Sequence, residues 1–241
     1  LYRRAHLFDG KRSSAEFVNA VARLPLACQP GSRHSYGVAT DVLGRIVEVI
    51  AKESLDSFMR RRIFTPLRMT DTEFYVPKAK HGRFIRMYQR DKAGTLKPVD
   101  KAFRDGFLAK PKMASGGGGL VSTIDDYLKF TQMLLNRGTY NGKRLLSPTT
   151  VDLMLSEHTT PAQRLSAGYG MGLGFGINVD PVRRGNVGMP GEAGWSGIAN
   201  TFFWIVPHRN LAYMAWSQFF PWGSSDFRHQ VKTIVNTSLE K

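Results

Sequence analysis

Two short segments of this 241-residue chain carry residue types suited to acyl transfer. One is Tyr36-Gly37-Val38-Ala39-Thr40-Asp41-Val42-Leu43-Gly44, which sets a phenol in front of an apolar periodic stretch. The other is Gly194-Trp195-Ser196-Gly197, a small-residue turn at the expected start of a strand. A phenol, with an ordinary pKa of about 10, is a poor base unless cations or a helix N-terminus favour its phenolate. Arg33 and His34 stand just before Tyr36, and a helix is expected just after it. An N–H at the start of a strand can donate to a developing oxyanion, and one well-placed donor is worth about 3–4 kcal/mol of barrier. Each segment also has a plainer role, since a tyrosine before a helix is usually structural and a glycine-rich turn with a tryptophan is usually only a turn. No convincing nucleophile completes the set.

The elements that must position these residues follow from periodicity. Val42, Leu43, Ile46, Val47 and Ile50 form an apolar stripe, with Arg45, Glu48 and Lys52 opposite, which predicts a helix over 39–53. A shorter helix is expected over 14–24, and another over 55–63, ended by Thr65-Pro66. Residues 70–112 are polar, basic and poor in period, and read as irregular loops with short strands. The glycines at 116–119 are either a flexible connection or backbone approaching a cleft. They lack the Lys-Ser/Thr ending of a phosphate loop. Ser122 is expected to cap a helix running to 136, with Tyr127, Phe130, Met133 and Leu134 inward, and Ser147-Pro148 starts the next. After Gly170 the pattern turns extended, with strands expected over 172–180 and 198–206. Pro207-His208-Arg209-Asn210 makes a hairpin turn into a return strand over 211–218, and a C-terminal helix over 224–239 closes the chain. The class is α+β, with a helix-rich lobe over 1–165 carrying the tyrosine segment and antiparallel strands with a helix over 166–241.

Composition narrows the function. The formal net charge of +15 is high, but the basic residues are scattered and match no groove-reading module, which speaks against nucleic acid as partner. No run of eighteen apolar residues would span a membrane. Cys28 is the single cysteine and the six histidines lie far apart, so neither a metal nor another cofactor is expected. The chain opens on Leu1 rather than Met, so the front of a longer protein is expected to be absent; this leaves the compartment open between cytoplasm and periplasm.

Four blocks together resemble a known family. Pro30-Gly31-Ser32-Arg33-His34-Ser35-Tyr36 with Ala39-Thr40-Asp41-Val42-Leu43-Gly44-Arg45 is similar to the tyrosine motif of serine hydrolases related to class C β-lactamases and penicillin-binding proteins, esterase branch. Phe64-Thr65-Pro66-Leu67-Arg68-Met69-Thr70-Asp71-Thr72 resembles that branch's Pro-Leu-Gly-Met-x-Asp-Thr block. The segment 116–122, with Asp126-Tyr127 and Phe130, resembles its Gly-Gly-Gly-Leu-x-Ser-Thr block. Gly194-Trp195-Ser196-Gly197 resembles the Trp-Gly-Gly that stands where β-lactamases carry Lys-Thr-Gly. The blocks occur in the family's order across nearly the whole chain.

The resemblance implies a β-lactamase/transpeptidase-like fold, incomplete at its N-terminus, with a cleft between the lobes. It implies a serine nucleophile in Ser-x-x-Lys, an acyl-enzyme, and Tyr36 as general base and then general acid. Trp195, Ser196 and Gly197 would line the cleft, and the Ile198 N–H would be one oxyanion donor. The sequence departs from the family in one large respect: its one Ser-x-x-Lys is Ser238-Leu239-Glu240-Lys241, in the wrong order and at the extreme end. The nucleophile is therefore expected from polypeptide outside this chain, as a second chain or a missing front segment, and the chain alone is expected to be inactive. Val38 and Trp195 stand where β-lactamases carry asparagine and lysine, which points to esterase or acyltransferase chemistry on small esters or amides. Phe202, Phe203, Trp204, Phe219 and Trp222 suit short acyl or aromatic groups, or the core. The alternative is a noncatalytic relative that holds a ligand or partner in the same cleft.

Overall fold

The computed structural model describes every residue except Trp222, Ser224, Glu240 and Lys241. Contacts divide it into two units that interleave along the sequence. The first holds Leu1–Gln29, Ser35–Ile85 and Asp100–Asp126; the second holds Pro30–His34, Arg86–Val99 and Tyr127–Lys241.

Serine caps start two helices of the first unit, Ser13 before one and Ser54 before another. Helix α1 (Ser14–Ala22) begins at Ser13, whose hydroxyl accepts from the Glu16 N–H while the Glu16 carboxylate accepts from the Ser13 N–H. Its Phe17 is buried with Leu7 and Val38. Helix α2 (Ala39–Ala51) ends on Lys52 in the left-handed region. Glu48, expected on the polar side, instead ties helices together. Its carboxylate accepts from Ser14 Oγ of α1, from Arg45 at 3.2 Å, and from the N–H of Leu55 at 3.1 Å, where α3 (Leu55–Met59) starts. The expected stop at Thr65-Pro66 is passed by one turn. A wide π turn (Arg60–Phe64) lets Thr65 donate to Arg60, so Pro66 enters the short α4 (Thr65–Leu67) where no donor is needed. Phe64 and Leu67 are buried. Residues 70–112 are largely irregular, as expected, with α5 at Asp100–Phe103. Helix α6 (Ile124–Leu135) runs on into the second unit, burying Met133 and Leu134. Its cap is Thr123, whose hydroxyl accepts from the Asp126 N–H at 3.3 Å; Ser122, the expected cap, bonds Thr72 instead.

The second unit is built on an antiparallel sheet. Short strands β1 (Tyr88–Arg90) and β2 (Leu96–Pro98) pair with each other, as do β3 (Thr139–Tyr140) and β4 (Lys143–Arg144). The main sheet runs in sequence order through β5 (Tyr169–Met171), β6 (Gly176–Asn178), β7 (Glu192–Ser196), β8 (Thr201–Val206) and β9 (Leu211–Trp216). A last strand, β10 (Phe219–Phe220), lies parallel to β1. Helix α7 (Pro148–Met154) is capped by Ser147, as expected, and α8 (Pro181–Arg184) by Asp180. Helix α9 (Phe227–Ser238) is shorter than the expected 224–239, of which Ser224 lies outside the described residues.

Strand alternation sorts the sheet's two faces. Phe202 and Trp204 face α9, with the Phe202 ring 5.6 Å from that of Phe227. Phe203 faces the other way, 4.8 Å from the ring of Tyr127 on α6 and 6.1 Å from that of Phe175. The predicted hairpin turn at 207–210 is present, with Asn210 left-handed before β9. Two strand expectations are corrected. That over 172–180 contracts to β6. That over 198–206 starts only at Thr201, because residues 197–200 form a loop.

Candidate active site

The segment Gly194-Trp195-Ser196-Gly197 closes strand β7 rather than opening β8. The turn is the three residues after it. Gly197 donates to the Thr201 carbonyl at 2.8 Å, and Asn200 donates back to the Gly197 carbonyl at 3.1 Å with φ of 64°. This is a three-residue hairpin loop whose left-handed position is filled by asparagine. The Asn200 side chain secures it by donating to Ser217 Oγ at 2.9 Å.

The register leaves part of this strand open. Strand β6 reaches β7 only as far as Gly176 opposite Gly194, whereas β8 continues to Phe202 opposite Ser196. Among the described residues, no strand of the second unit continues along the β6 side of Ser196. Amides alternate along an antiparallel ladder, so with Gly197 donating toward β8, the Ser196 N–H points to the open side. Ile198 stands at the first central position of the loop, 60% exposed, and its N–H takes no part in the turn's own hydrogen bond. Glycine is required within the strand at this point: a Cβ on Gly194 would lie 2.3 Å from the Phe203 carbonyl oxygen. Trp195, Ser196, Gly197 and Ile198 thus follow one another along the end of β7 and into its loop.

Tyr36 belongs to the first unit, where its side chain is 76% exposed, two residues before the Val38 that caps α2. Two of the glycines at 116–119 meet this helix start. A Cβ on Gly116 would lie 2.4 Å from the Thr40 carbonyl oxygen, and one on Gly117 2.8 Å from Asp41 Oδ2. Asp41 holds the run in place, accepting from Ser115 Oγ at 2.5 Å and from the Gly117 N–H at 3.2 Å. Gly116 and Gly117 thus approach the first turn of α2, whereas a Cβ on Gly118 would meet nothing within 4 Å and one on Gly119 would meet Ser115 and Phe74.

Sequence reasoning gave Asp41, Ser115, Thr72 and Asp126 no role, and the structure gives each one. Buried Asp126 accepts from the Asp71 N–H at 2.6 Å and from Thr72 Oγ1 at 3.0 Å, while Thr72 and Ser122 share a 2.7 Å hydrogen bond. Val121 and Glu73 exchange backbone hydrogen bonds beside them. Two blocks singled out for their resemblance are thus mutual scaffolding. The available signal was the carboxylate beside each small-residue run. Asp71 is also gripped by Arg83 and Lys80, whose hydrogen bonds lower its pKa to about 2.

A family model for Beta-lactamase matches residues 2–234. The chain belongs to the Beta-lactamase family. Protein Rv1367c from Mycobacterium tuberculosis is 37% identical over 206 residues, which are 81% of this chain and 51% of that protein. Lovastatin esterase from Penicillium rubens is 28% identical over 226 residues, 86% of this chain and 55% of that one. The chain thus spans about half the length of the curated relatives it matches. Among solved structures, EstCE1, a hydrolase with promiscuous acyltransferase activity, superposes with a TM-score of 0.85 at 24% identity, over 98% of this chain and 65% of that one.

Membership of the Beta-lactamase family accounts for the α+β architecture and bears out the resemblance drawn from the four sequence blocks. Within that fold the strand candidates come together on one hairpin of the second unit, and Tyr36 stands with the glycine run in the first. Of the remaining candidates, Trp222 and the end of the Ser238–Lys241 segment lie outside the described residues. Among the described residues no His, Cys, Asp and Glu side chains group to hold a metal ion, and no helix is long and apolar enough to cross a membrane.

Proposed function

We propose that this chain is the tyrosine- and strand-bearing part of a serine acyl hydrolase of the esterase and acyltransferase kind, acting on small esters through an acyl-enzyme. The nucleophilic serine and its lysine come from polypeptide outside the chain. Tyr36 takes the proton from that serine and returns it to the leaving group. The Ile198 N–H donates to the oxyanion, and Trp195, Ser196 and Gly197 form the wall against which the acyl group lies.

The observation that carries this reading is the open end of β7. Past the end of β6 the strand presents the Ser196 amide, which no strand among the described residues of its unit uses, and the loop that follows presents the Ile198 N–H, as a site for a developing oxyanion requires. Two features support a contribution from further polypeptide. Helix α2 leaves Leu43, Ile46 and Ile50 exposed on one face. The edge strand β9, Leu-Ala-Tyr-Met-Ala-Trp, carries none of the charges or prolines that blunt free sheet edges. The lovastatin esterase and EstCE1 likenesses favour ester and acyl-transfer chemistry over other reactions of the fold.

The test is p-nitrophenyl acetate turnover by the natural gene product carrying this chain. Tyr36→Phe is expected to lower kcat by about 10²–10⁴-fold. Ile198→Pro deletes one donor at a loop position where proline is well accepted, and is expected to cost about 10²–10³-fold in kcat. Full activity in Tyr36→Phe would end the assignment of the phenol.

A further inference from the structure

The loop between β7 and β8 takes its direction from Asn200. In a trans peptide the carbonyl and the N–H point opposite ways. The Gly197 carbonyl accepts from the Asn200 N–H at 3.1 Å, so it turns into the loop, and the Ile198 N–H of the same peptide turns out of it. Asn200 reaches back in this way because its backbone is left-handed, with φ of 64°, a region that glycine and asparagine enter more readily than other residues. The aim of the Ile198 amide is thus set from further along the loop.

Asn200 is 3% exposed, whereas Ile198 is open to solvent. What buries the asparagine is the segment that follows β9. Its side-chain amide donates to Ser217 Oγ at 2.9 Å and, over a longer 3.5 Å, to Ser225 Oγ. Ser217 answers through its N–H and its hydroxyl, each of which donates to the Asn200 carbonyl at 3.3 Å. The Phe219 N–H donates to the Ala199 carbonyl at 3.2 Å. The segment 217–219 is held in turn by β1, where the Tyr88 N–H donates to the Gln218 carbonyl at 2.9 Å and Tyr88 stands opposite Phe219. Glycine would satisfy the backbone angle at position 200 without a buried amide. The amide adds resistance to motion, because a shift of the loop would leave a buried polar group without its partners.

We propose that Asn200, clamped by Ser217, is a positioning residue that aims the Ile198 N–H at the oxyanion. The inference rests on the reading of Ile198 as an oxyanion donor and adds what directs it. A donor fixed in place before charge develops costs no reorganisation when the charge arrives. A misplacement of about 1 Å can cost about 10²-fold in rate.

The natural gene product carrying this chain is assayed with p-nitrophenyl acetate as substrate and phenylboronic acid as inhibitor. The boron takes the hydroxyl oxygen of the nucleophilic serine, the proton leaves to water, and the tetrahedral adduct sets an oxygen where the oxyanion forms. Asn200→Gly keeps the left-handed backbone and removes the clamp. It is expected to lower kcat about 10²-fold with KM little changed, and to raise the Ki of phenylboronic acid by a like factor. Ser217→Ala is expected to lower kcat about tenfold, and Ser217→Thr, which keeps the hydroxyl, to restore most of it. KM and Ki report on folded molecules alone, so a smaller folded fraction moves neither. Asn210→Gly, the same exchange at the left-handed position of the 207–210 turn, is expected to leave kcat unchanged. Wild-type kcat and Ki in Asn200→Gly, beside a large loss in Ile198→Pro, overturn the clamp and leave the donor in place. A fall in kcat with Ki unmoved makes Asn200 a folding residue and overturns its positioning role. Wild-type kcat in Ile198→Pro overturns donor and clamp together.

Discussion

Helices α2 and α9 break the apolar-inside pattern in opposite directions. Helix α2 turns leucine and isoleucine outward: Leu43 is 55% exposed and Ile50 76%. Helix α9 turns a lysine inward, with Lys232 at 2%, while its Ile234 is 64% exposed. Each looks like an error until its partners are considered. In α9 the inward position faces Glu192 on β7, so a charge is the residue that fits. In α2 the buried position is Gly44, pressed on Leu55 and on the backbone of Gly116, and the apolar stripe is left over. Periodicity reports which residues avoid water, whereas burial is decided by what stands opposite.

The largest effect is expected at α9. Glu192→Ala strands a buried ammonium and is expected to cost about 3–5 kcal/mol in urea unfolding. A double variant, Glu192→Leu with Lys232→Met, is expected to recover most of that loss, since apolar replacement of a buried pair is often neutral or better. If Glu192→Ala unfolds at the wild-type urea concentration, the lysine is hydrated and the contrast with α2 fails.

The α2 end gives a smaller effect in this chain. Ile46→Ala and Ile50→Ala are expected to change its stability by no more than about 0.5 kcal/mol, as surface substitutions do. In the longer natural gene product the same changes are expected to cost about 2–5 kcal/mol, because the segment proposed to carry the nucleophile would cover this face. Equal, small costs in both proteins would mean that α2 stays exposed and that the nucleophile does not arrive over it.

The same distinction explains what was legible in the sequence. The helix start at Ser147, the hairpin at 207–210 and the α+β class rest on local chemistry, and they are found where expected. The family could be read because four blocks keep their order. The position of the strand candidates could be read less well. Ser196 ends a strand and Ile198 sits in a loop, because the loop is set by Asn200 in the left-handed region and by its bond to Ser217, 17 residues further on. The work of Asp41 and Asp126 was hidden for the same reason, since their partners at 115–117 and 71–72 are distant in sequence. Lys232 was hidden most deeply. Nothing in its own helix announces a carboxylate from β7.

A smaller change again is expected at the protein surface, where a charge is paired without being buried. Arg83 grips Asp71 through both oxygens, at 3.1 and 2.8 Å, and Lys80 adds a third contact at 2.9 Å. These hydrogen bonds lower the Asp71 pKa from its ordinary 3.8 to about 2. A carboxyl whose pKa is lower in the folded protein than in the unfolded chain binds fewer protons when folded, so its stabilisation is present above the unfolded value and is lost as pH falls through the folded one. The contribution of Asp71 is therefore whole above about pH 4 and fades toward about pH 2. Arg83 is 63% exposed, so salt screens the pair, and the fade is expected to shrink in 1 M salt, where the Debye length is about 3 Å. Asp71→Asn, melted from pH 5 to pH 2, is expected to lose stability less steeply than the wild type over that window. The Glu192–Lys232 pair, shielded from solvent, is expected to show no comparable salt dependence. If Asp71→Asn and the wild type lose stability in parallel, the surface grip contributes nothing, and the energetic weight of paired charge in this protein lies with the buried pair.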